Sequence, residues 1–188
     1  MTDSITTEFT GNEIESVNTQ HVACLLLLDN SGSMGQRQGN TLPIDELNKG
    51  IKLFKEQAMK DENARDIIDV AIVSFNDEPH IVQNFVPLSR MEVPVLTAGG
   101  TTAMGQGVEK AIELCEKRKT LYKNLGVTYK QPMIFLLTDG YPTDKWNAAS
   151  EKAQNWQTGK HGTIFGIGSP GYDQKILRQF APTHLIEM

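Results

Sequence analysis

Polar side chains with hard oxygen atoms follow directly after the most hydrophobic segment of the chain. Asp29, Ser31 and Ser33 come immediately after the apolar run Val22 to Leu28. A short apolar run bounded by turn residues predicts a buried strand, here over 21–28, and alternate side chains of the loop beyond it can converge on one point. Oxygen ligands without Cys or His suit Mg²⁺, Mn²⁺ or Ca²⁺ rather than zinc. The segment therefore predicts a site for a hard divalent cation.

Two further segments offer oxygen atoms of the same kind. Thr101 and Thr102 follow the pair Gly99-Gly100, and Asp139 ends a second apolar strand, predicted over 133–138. Glycines let the backbone approach an ion closely, and a threonine at a helix start can turn its hydroxyl toward it. Each piece alone has a simpler interpretation, as a helix cap or as a turn. Three segments with matching ligand types favour one shared site.

The rest of the chain predicts the elements that must hold these segments. Further strands are predicted over 68–75, 80–86, 163–167 and 184–186. Four helices are predicted. The first is capped by Thr41, the second starts near Thr102, the third is capped by Thr143 or Asp144, and the fourth starts at Asp173. Strands that alternate with helices predict an α/β fold with a doubly wound, mostly parallel, Rossmann-like sheet and helices on both faces. The loosely alternating segment 80–86 is predicted as an antiparallel edge strand.

In such sheets, ligands bind outside the carboxyl ends of the strands, where the strand order reverses. Asp29 and Asp139 both follow strands at their carboxyl ends. The fold prediction and the ligand prediction therefore indicate the same edge of the sheet.

Composition limits the alternatives. The 188 residues, 39% of them hydrophobic, predict one domain over 20–188 after a polar arm over 1–19. A net charge of −5 gives no footprint for nucleic acid, and the short basic run 117–119 is predicted to end a helix, where it complements the helix dipole. No run is long enough to span a membrane and no secretory signal is recognisable, so a cytoplasmic location is predicted. Cys24 and Cys115 are predicted as small buried hydrophobic residues.

The motifs D-N-S-G-S at 29–33, G-G-T-T at 99–102 and T-D-G at 138–140 closely resemble the metal-ion-dependent adhesion site (MIDAS) of the von Willebrand factor A domain family. The resemblance covers about residues 20–188. The segments L-L-D-N-S-G-S-M-G and L-T-D-G-Y-P-T-D are most similar to the bacterial TerY/YegL type, which is associated with tellurium-resistance operons. The resemblance implies the strand order 3-2-1-4-5-6. It also implies that the chain ends before a final helix that related domains carry.

The resemblance further implies a ligand set. Ser31, Ser33 and a threonine would bind the ion directly, and Asp29 and Asp139 would bind it directly or through water. Thr102 is preferred over Thr101, because the helix pattern resumes after it in the register of the family.

Function follows from the charge of this ligand set. Three of its members are neutral hydroxyls, so the ion stays electrophilic, and an open position would favour an incoming carboxylate. The family resemblance implies that this carboxylate is an Asp or Glu of a partner protein. Mg²⁺ is predicted, with Mn²⁺ also suited and Ca²⁺ less so. Tyr141 or Met34 could anchor the partner. The chain is thus predicted to be a non-enzymatic interaction module, in a stress-response system if the operon analogy holds.

Two other functions have partial motif support. Ser33 in S-G-S-M-G half-matches a hydrolase nucleophile elbow, with Asp139 and His161 or His184 as partners in the expected chain order. The segment Gly166 to Gly171 matches G-x-G-x-x-G of dinucleotide-binding domains, although it does not open a complete mononucleotide unit. Both patterns are weaker than the metal motifs.

Overall fold

A six-stranded sheet with the order β3-β2-β1-β4-β5-β6 forms the centre of the computed structural model, which describes residues 14–187. The strands are β1 (His21–Asp29), β2 (Ile68–Phe75), β3 (Pro79–Pro87), β4 (Tyr129–Thr138), β5 (Thr163–Gly168) and β6 (Leu185–Glu187). β3 pairs antiparallel with β2 at one edge, and the other pairs are parallel. The predicted fold class and strand order are confirmed.

Helices cover both faces of the sheet. They are α1 (Pro43–Ala58), α2 (Glu62–Ile67), α3 (Met104–Asn124), α4 (Asn147–Thr158) and α5 (Gln174–Phe180). Successive side chains of a strand point to opposite faces. Leu26 and Leu28 of β1 accordingly pack in the core below α1, and Leu25 and Leu27 pack in the core below α3 and α4. This two-sided burial explains why β1 is apolar without alternation.

The strand register brings the predicted ligands together. Leu28 of β1 lies opposite Leu137 of β4, so Asp29 at the end of β1 lies beside Thr138 at the end of β4. Asp139 follows one residue later. The two aspartates thus share the carboxyl edge of adjacent central strands, as the sheet prediction requires.

Two predicted helix caps do not cap their helices in the structure. Leu42, not Thr41, precedes α1, and Thr41 instead forms backbone hydrogen bonds with Gln38. α3 begins at Met104, near Thr102 as predicted. Trp146 precedes α4, while Thr143 and Asp144 contact the start of α3. Thr41 forms a local turn with Gln38, and Thr143 and Asp144 contact a distant segment, so in both cases other hydrogen bonds replace the predicted cap. The short helix α2 was not predicted; it has no buried residue to give a pattern.

The predicted arm lies partly outside the described residues, since 1–13 are not described. Residues 14–20 contain no helix or strand, yet Ile14 packs against the core. The boundary of the domain at residue 20 stays a prediction. Cys24 and Cys115 are free and buried, as predicted. Within 14–187, no helix has the length and apolar character needed to cross a membrane.

Candidate metal centre

Backbone hydrogen bonds join the loop after β1 to the loop before α3. The Gly99 N–H donates to the Asn30 carbonyl at 2.9 Å, and the Gly32 N–H donates to the Gly100 carbonyl at 3.0 Å. A Cβ atom at Gly32 would lie 3.1 Å from the Gly100 oxygen, so this close approach favours glycine. The two loops are therefore held together by their main chains, independently of the predicted ligands.

Asp29 lies at the bottom of the site with 0% of its surface exposed. Its Oδ2 accepts a hydrogen bond from Thr138 Oγ1 at 2.6 Å, and its Oδ1 accepts one from the Ser31 N–H at 2.8 Å. Burial raises the pKa of the Asp29 carboxyl above its ordinary value, against the opposing effect of these hydrogen bonds. The side chain is fixed in orientation but is costly to ionise without a cation.

A chain of oxygen atoms connects Ser31, Ser33 and Asp139. Ser31 Oγ lies 3.1 Å from Ser33 Oγ, and Ser33 Oγ donates to Asp139 Oδ1 at 2.7 Å. Asp139 is buried, and burial raises its pKa as well. Its Oδ2 is buried without a hydrogen-bond partner among residues 14–187. One acceptor of this carboxylate is thus left for a ligand.

The structure separates the two candidate threonines. Thr101 is exposed, and both its N–H and its Oγ1 donate to Asp77 Oδ1, at 2.8 and 2.9 Å. Thr102 is buried, and an atom in the Cβ position of Gly140 would lie 3.9 Å from Thr102 Oγ1 and 3.4 Å from Ser33 Oγ. The Thr102 hydroxyl therefore borders the same space as Ser33, and the Thr101 hydroxyl does not.

The two carboxylates at this edge of the sheet are not paired with a cationic side chain among the described residues. In the described part of the chain, neither Asp29 nor Asp139 forms an ion pair with a lysine, arginine or histidine. Nor do residues 14–187 place three or more His, Cys, Asp or Glu side chains together as a metal-binding group. A cation here would have to use hydroxyls beside the two carboxylates, and the donor set fits a hard ion that accepts neutral oxygen ligands.

Among residues 14–187, the side chains proposed for a hydrolase are not brought together. Ser33 donates to Asp139 rather than contacting a histidine. His184 immediately precedes β6, which lies three strands away from β1 in the sheet order. The His184 ring lies 4.7 Å from the ring of Phe165, a residue level with the middle of β1, whereas Ser33 lies beyond the carboxyl end of β1. The His161 carbonyl accepts from Lys119 on α3, away from these loops.

Two of the three glycines in the segment 166–171 allow close packing. Gly166 and Gly168 lie within β5 itself. A Cβ at Gly168 would lie 2.4 Å from the Tyr172 ring, and one at Gly166 would lie 3.0 Å from the Ala181 side chain. Asp173 precedes the short helix α5 and accepts a hydrogen bond from the Ile176 N–H, so an acid occupies the helix start where a phosphate would need to bind. These contacts give Gly166 and Gly168 a packing role and place a negative charge at the start of the following helix.

At the rim of the site, one predicted partner contact is wrong, and three further residues prove to hold the loops in place. Met34 is 3% exposed and cannot anchor a partner, whereas Tyr141 is 61% exposed. Asp77 and Thr143 contact the loop that carries Thr102, and Asp144 contacts the first turn of α3. Sequence reasoning missed all of these contacts. Asp77 followed Asn76 in what looked like an ordinary turn, and the other two looked like a helix cap.

The sheet order and the oxygen-rich edge together define a Rossmann-like domain with a candidate site for a hard cation. A family model described as von Willebrand factor type A domain matches residues 24–142. The chain belongs to this family. Domains of the family are typically interaction modules rather than enzymes.

Solved structures share the fold. An ArnB paralog from Sulfolobus acidocaldarius is 19% identical with a TM-score of 0.62, over 90% of this chain and 42% of that one. Proximal thread matrix protein 1 from the mussel byssus, with a zinc-occupied MIDAS, is 17% identical with a TM-score of 0.60, over 89% and 41%. The manganese-loaded TRAP protein of Plasmodium vivax is 19% identical with a TM-score of 0.63, over 90% and 68%.

The chain spans less than half the length of the first two of these proteins. Two of the three carry a divalent metal according to their descriptions, zinc in one and manganese in the other. A search of curated proteins gave no match to the sequence.

Proposed function

We propose that this domain binds a partner protein through a divalent cation held at the carboxyl edge of its sheet. The proposed ligands are Asp29, Ser31, Ser33, Thr102 and Asp139. One observation carries the proposal: two buried carboxylates without an internal cation lie beside hydroxyls that border the same space. Leaving two buried carboxylates without a countercharge is costly, so a bound cation would stabilise the arrangement.

Mg²⁺ is the proposed resident ion. The set contains only oxygen donors, which disfavours zinc, and only two carboxylates, which disfavours Ca²⁺. Mn²⁺ suits the same ligands. The metals named for the structural relatives support a divalent ion at such a site, and the choice of Mg²⁺ rests on the donor chemistry of this chain.

The ion would supply a positive charge with a coordination position for an external carboxylate. The charges of the ligand side chains determine how strongly that position attracts an acid. Ser31, Ser33 and Thr102 contribute no charge, so they leave the ion attractive to an acid, while Asp29 and Asp139 would repel that acid when no ion is present. The exposed Tyr141 is proposed to contact the partner at the rim.

The finer placement of the chain is also a proposal. The segments 27–35 and 137–144 support membership of the TerY/YegL type, with a cytoplasmic role beside other proteins of a stress-response system. A partner from such a system would present an exposed Asp or Glu.

Calorimetric titration of the chelator-treated protein with Mg²⁺ tests the metal site. The wild-type protein should bind one ion saturably, and Asp29→Ala should abolish binding while thermal unfolding remains cooperative. Asp66→Ala, a change at an exposed aspartate on α2, is the matched control and should bind as the wild type does. Unchanged affinity in Asp29→Ala would reject the ligand assignment.

Capture of a partner with and without chelator tests the interaction. The complex should depend on Mg²⁺, and changing the contacting Asp or Glu of the partner to its amide should weaken it comparably. The two losses should be non-additive, because one contact carries both. A complex indifferent to chelator would reject the proposed mechanism. Esterase activity lost in Ser33→Ala but insensitive to chelator would favour a hydrolase instead.

A further inference from the structure

The segment 141–144, which follows the proposed ligand Asp139, holds the loop that carries Thr102. The Thr102 N–H donates to Thr143 Oγ1 at 2.9 Å. In return, the Thr143 N–H donates to the Thr102 carbonyl at 2.8 Å. Both polar groups of the Thr102 main chain are therefore bound by one residue of the loop after β4.

Asp144 extends this contact onto the first turn of α3. Its Oδ1 accepts from the Gly105 N–H at 3.2 Å, and its Oδ2 accepts from the Gln106 N–H at 2.9 Å. The first N–H groups of a helix have no partner within the helix, and an acid near them is favourable. Ala103, which precedes α3, has no side-chain acceptor, so the cap is supplied by another loop.

The two loops approach each other closely at Gly105. A Cβ atom there would lie 2.8 Å from the Trp146 Cα and 3.0 Å from Asp144 Oδ2. No side chain fits at this position unless the backbone shifts. The contact between the loops thus depends on the glycine as well as on the hydrogen bonds.

From these contacts we infer that Thr143 and Asp144 are positioning residues, which fix the Thr102 hydroxyl for the ion and couple metal binding to the order of the first turn of α3. The inference rests on the proposed function, because it concerns the same ion. Asp139 belongs to the same loop, so an ion that holds Asp139 and Thr102 together also holds this loop against α3. Coupling is reciprocal: weakening the loop contact lowers metal affinity, and metal stabilises the helix start.

Mg²⁺ titration of hydroxyl variants tests the first half of the inference. Thr143→Val keeps the shape and the backbone N–H but removes the acceptor, and it should weaken Mg²⁺ binding by about tenfold, the effect of one lost hydrogen bond. Thr143→Ser restores the acceptor and should bind within about twofold of the wild type. Thr120→Val is the matched control, since it removes a hydroxyl on α3 that donates to the Glu116 carbonyl, and it should bind normally.

Amide hydrogen exchange of α3 tests the second half. In the wild type, saturating Mg²⁺ should slow exchange at Gly105 and Gln106. Asp144→Ala should exchange fast at both amides with or without Mg²⁺, and melting of the metal-free variants checks that each one folds. If Thr143→Val does not fold, the Mg²⁺ titration of Asp144→Ala tests the inference instead, and a loss of Mg²⁺ affinity is expected.

The outcomes separate the two proposals. Wild-type protein that binds Mg²⁺, together with a folded Thr143→Val of unchanged affinity, would overturn the inference and leave the proposed function in place. Equal losses in Thr143→Val and Thr143→Ser would also overturn it, because serine keeps the acceptor. Wild-type protein that binds no Mg²⁺ would overturn both proposals.

Discussion

Buried aspartates lie at both edges of the sheet, and their surroundings differ. Asp69 is the second residue of β2, at the amino edge, and it accepts hydrogen bonds from three side chains. His21 Nδ1 lies 3.0 Å from Asp69 Oδ2, Arg118 Nη2 lies 3.0 Å from the same oxygen, and the Tyr122 hydroxyl donates to it. Arg118 also lies over the rings of Phe85 and Tyr122, at 5.6 and 5.1 Å. This carboxylate has its cation inside the protein.

The pKa directions follow this difference. Burial alone would raise the pKa of Asp69, but the His21 hydrogen bond and the Arg118 charge outweigh burial and lower it. Burial raises the pKa of Asp29 and of Asp139, since nothing positive opposes it there. At the amino edge, the protein therefore pairs a buried carboxylate with a cation of its own. At the carboxyl edge, the two buried carboxylates are left to pair with a bound cation.

Removing the internal cation should have the largest effect on stability. Arg118→Ala leaves the Asp69 carboxylate buried beside a cavity, and we expect the free energy of unfolding to fall by about 3–5 kcal/mol. Urea unfolding measures the loss. Lys117→Ala, at the exposed neighbouring residue, should change it by less than about 0.5 kcal/mol. A loss below about 1 kcal/mol in Arg118→Ala would mean that Asp69 does not depend on this ion pair.

Replacing an aspartate by asparagine should change the free energy of unfolding in opposite directions at the two edges of the sheet. In metal-free protein, Asp139→Asn removes an uncompensated charge, and the free energy of unfolding should rise by about 1 kcal/mol. The same variant should lose the stabilisation by Mg²⁺, which is about 2.7 kcal/mol at a hundredfold excess over Kd. Thermal and urea unfolding with and without Mg²⁺ measure both effects.

Asp69→Asn is the matched comparison for that experiment. It should destabilise the metal-free protein, because Arg118 loses its partner, and it should keep the full Mg²⁺ effect. Destabilisation of the metal-free protein by Asp139→Asn as well would show that the carboxyl edge is complete without a cation, and the contrast between the edges would fail.

The contrast also shows what the sequence could and could not predict. The sheet and the aspartates at its carboxyl edge were predictable, because apolar runs define strands locally and parallel strands end at one edge. The cluster of His21, Arg118 and Tyr122 around Asp69 was not predictable. The basic run 117–119 is predicted to end a helix and complement its dipole, yet α3 continues to Asn124 and buries Arg118. Its partner Asp69 is far away in the chain, and no local pattern connects the two.

The same limit applies within the candidate metal site. The D-x-S-x-S spacing and T-D-G motif identified the residues that the structure brings together. The contacts of Thr143 and Asp144 with α3 were missed, because a threonine and an aspartate before a helix match a capping pattern for that helix. Only the fold shows that they face the start of another helix.

The smallest expected effect concerns pH at the amino edge. His21 Nδ1 faces Asp69, and Nε2 lies 2.5 Å from the Ser16 carbonyl, so both ring nitrogens face acceptors and both can be satisfied only when the ring is protonated. The hydrogen bond to Asp69 accordingly raises the pKa of His21 above its ordinary 6.5.

A raised histidine pKa stabilises the fold fully below the unfolded value and loses that contribution as pH rises through the folded value. We therefore expect the stability difference between wild type and His21→Asn to shrink from pH 6 toward pH 9, by at most about 1.4 kcal/mol per pH unit, the limit for one proton. Urea unfolding at each pH measures it, and a constant difference would mean that His21 is neutral in the fold. The trend should be the same with and without Mg²⁺, because the amino edge has its own cation and the metal acts at the other edge.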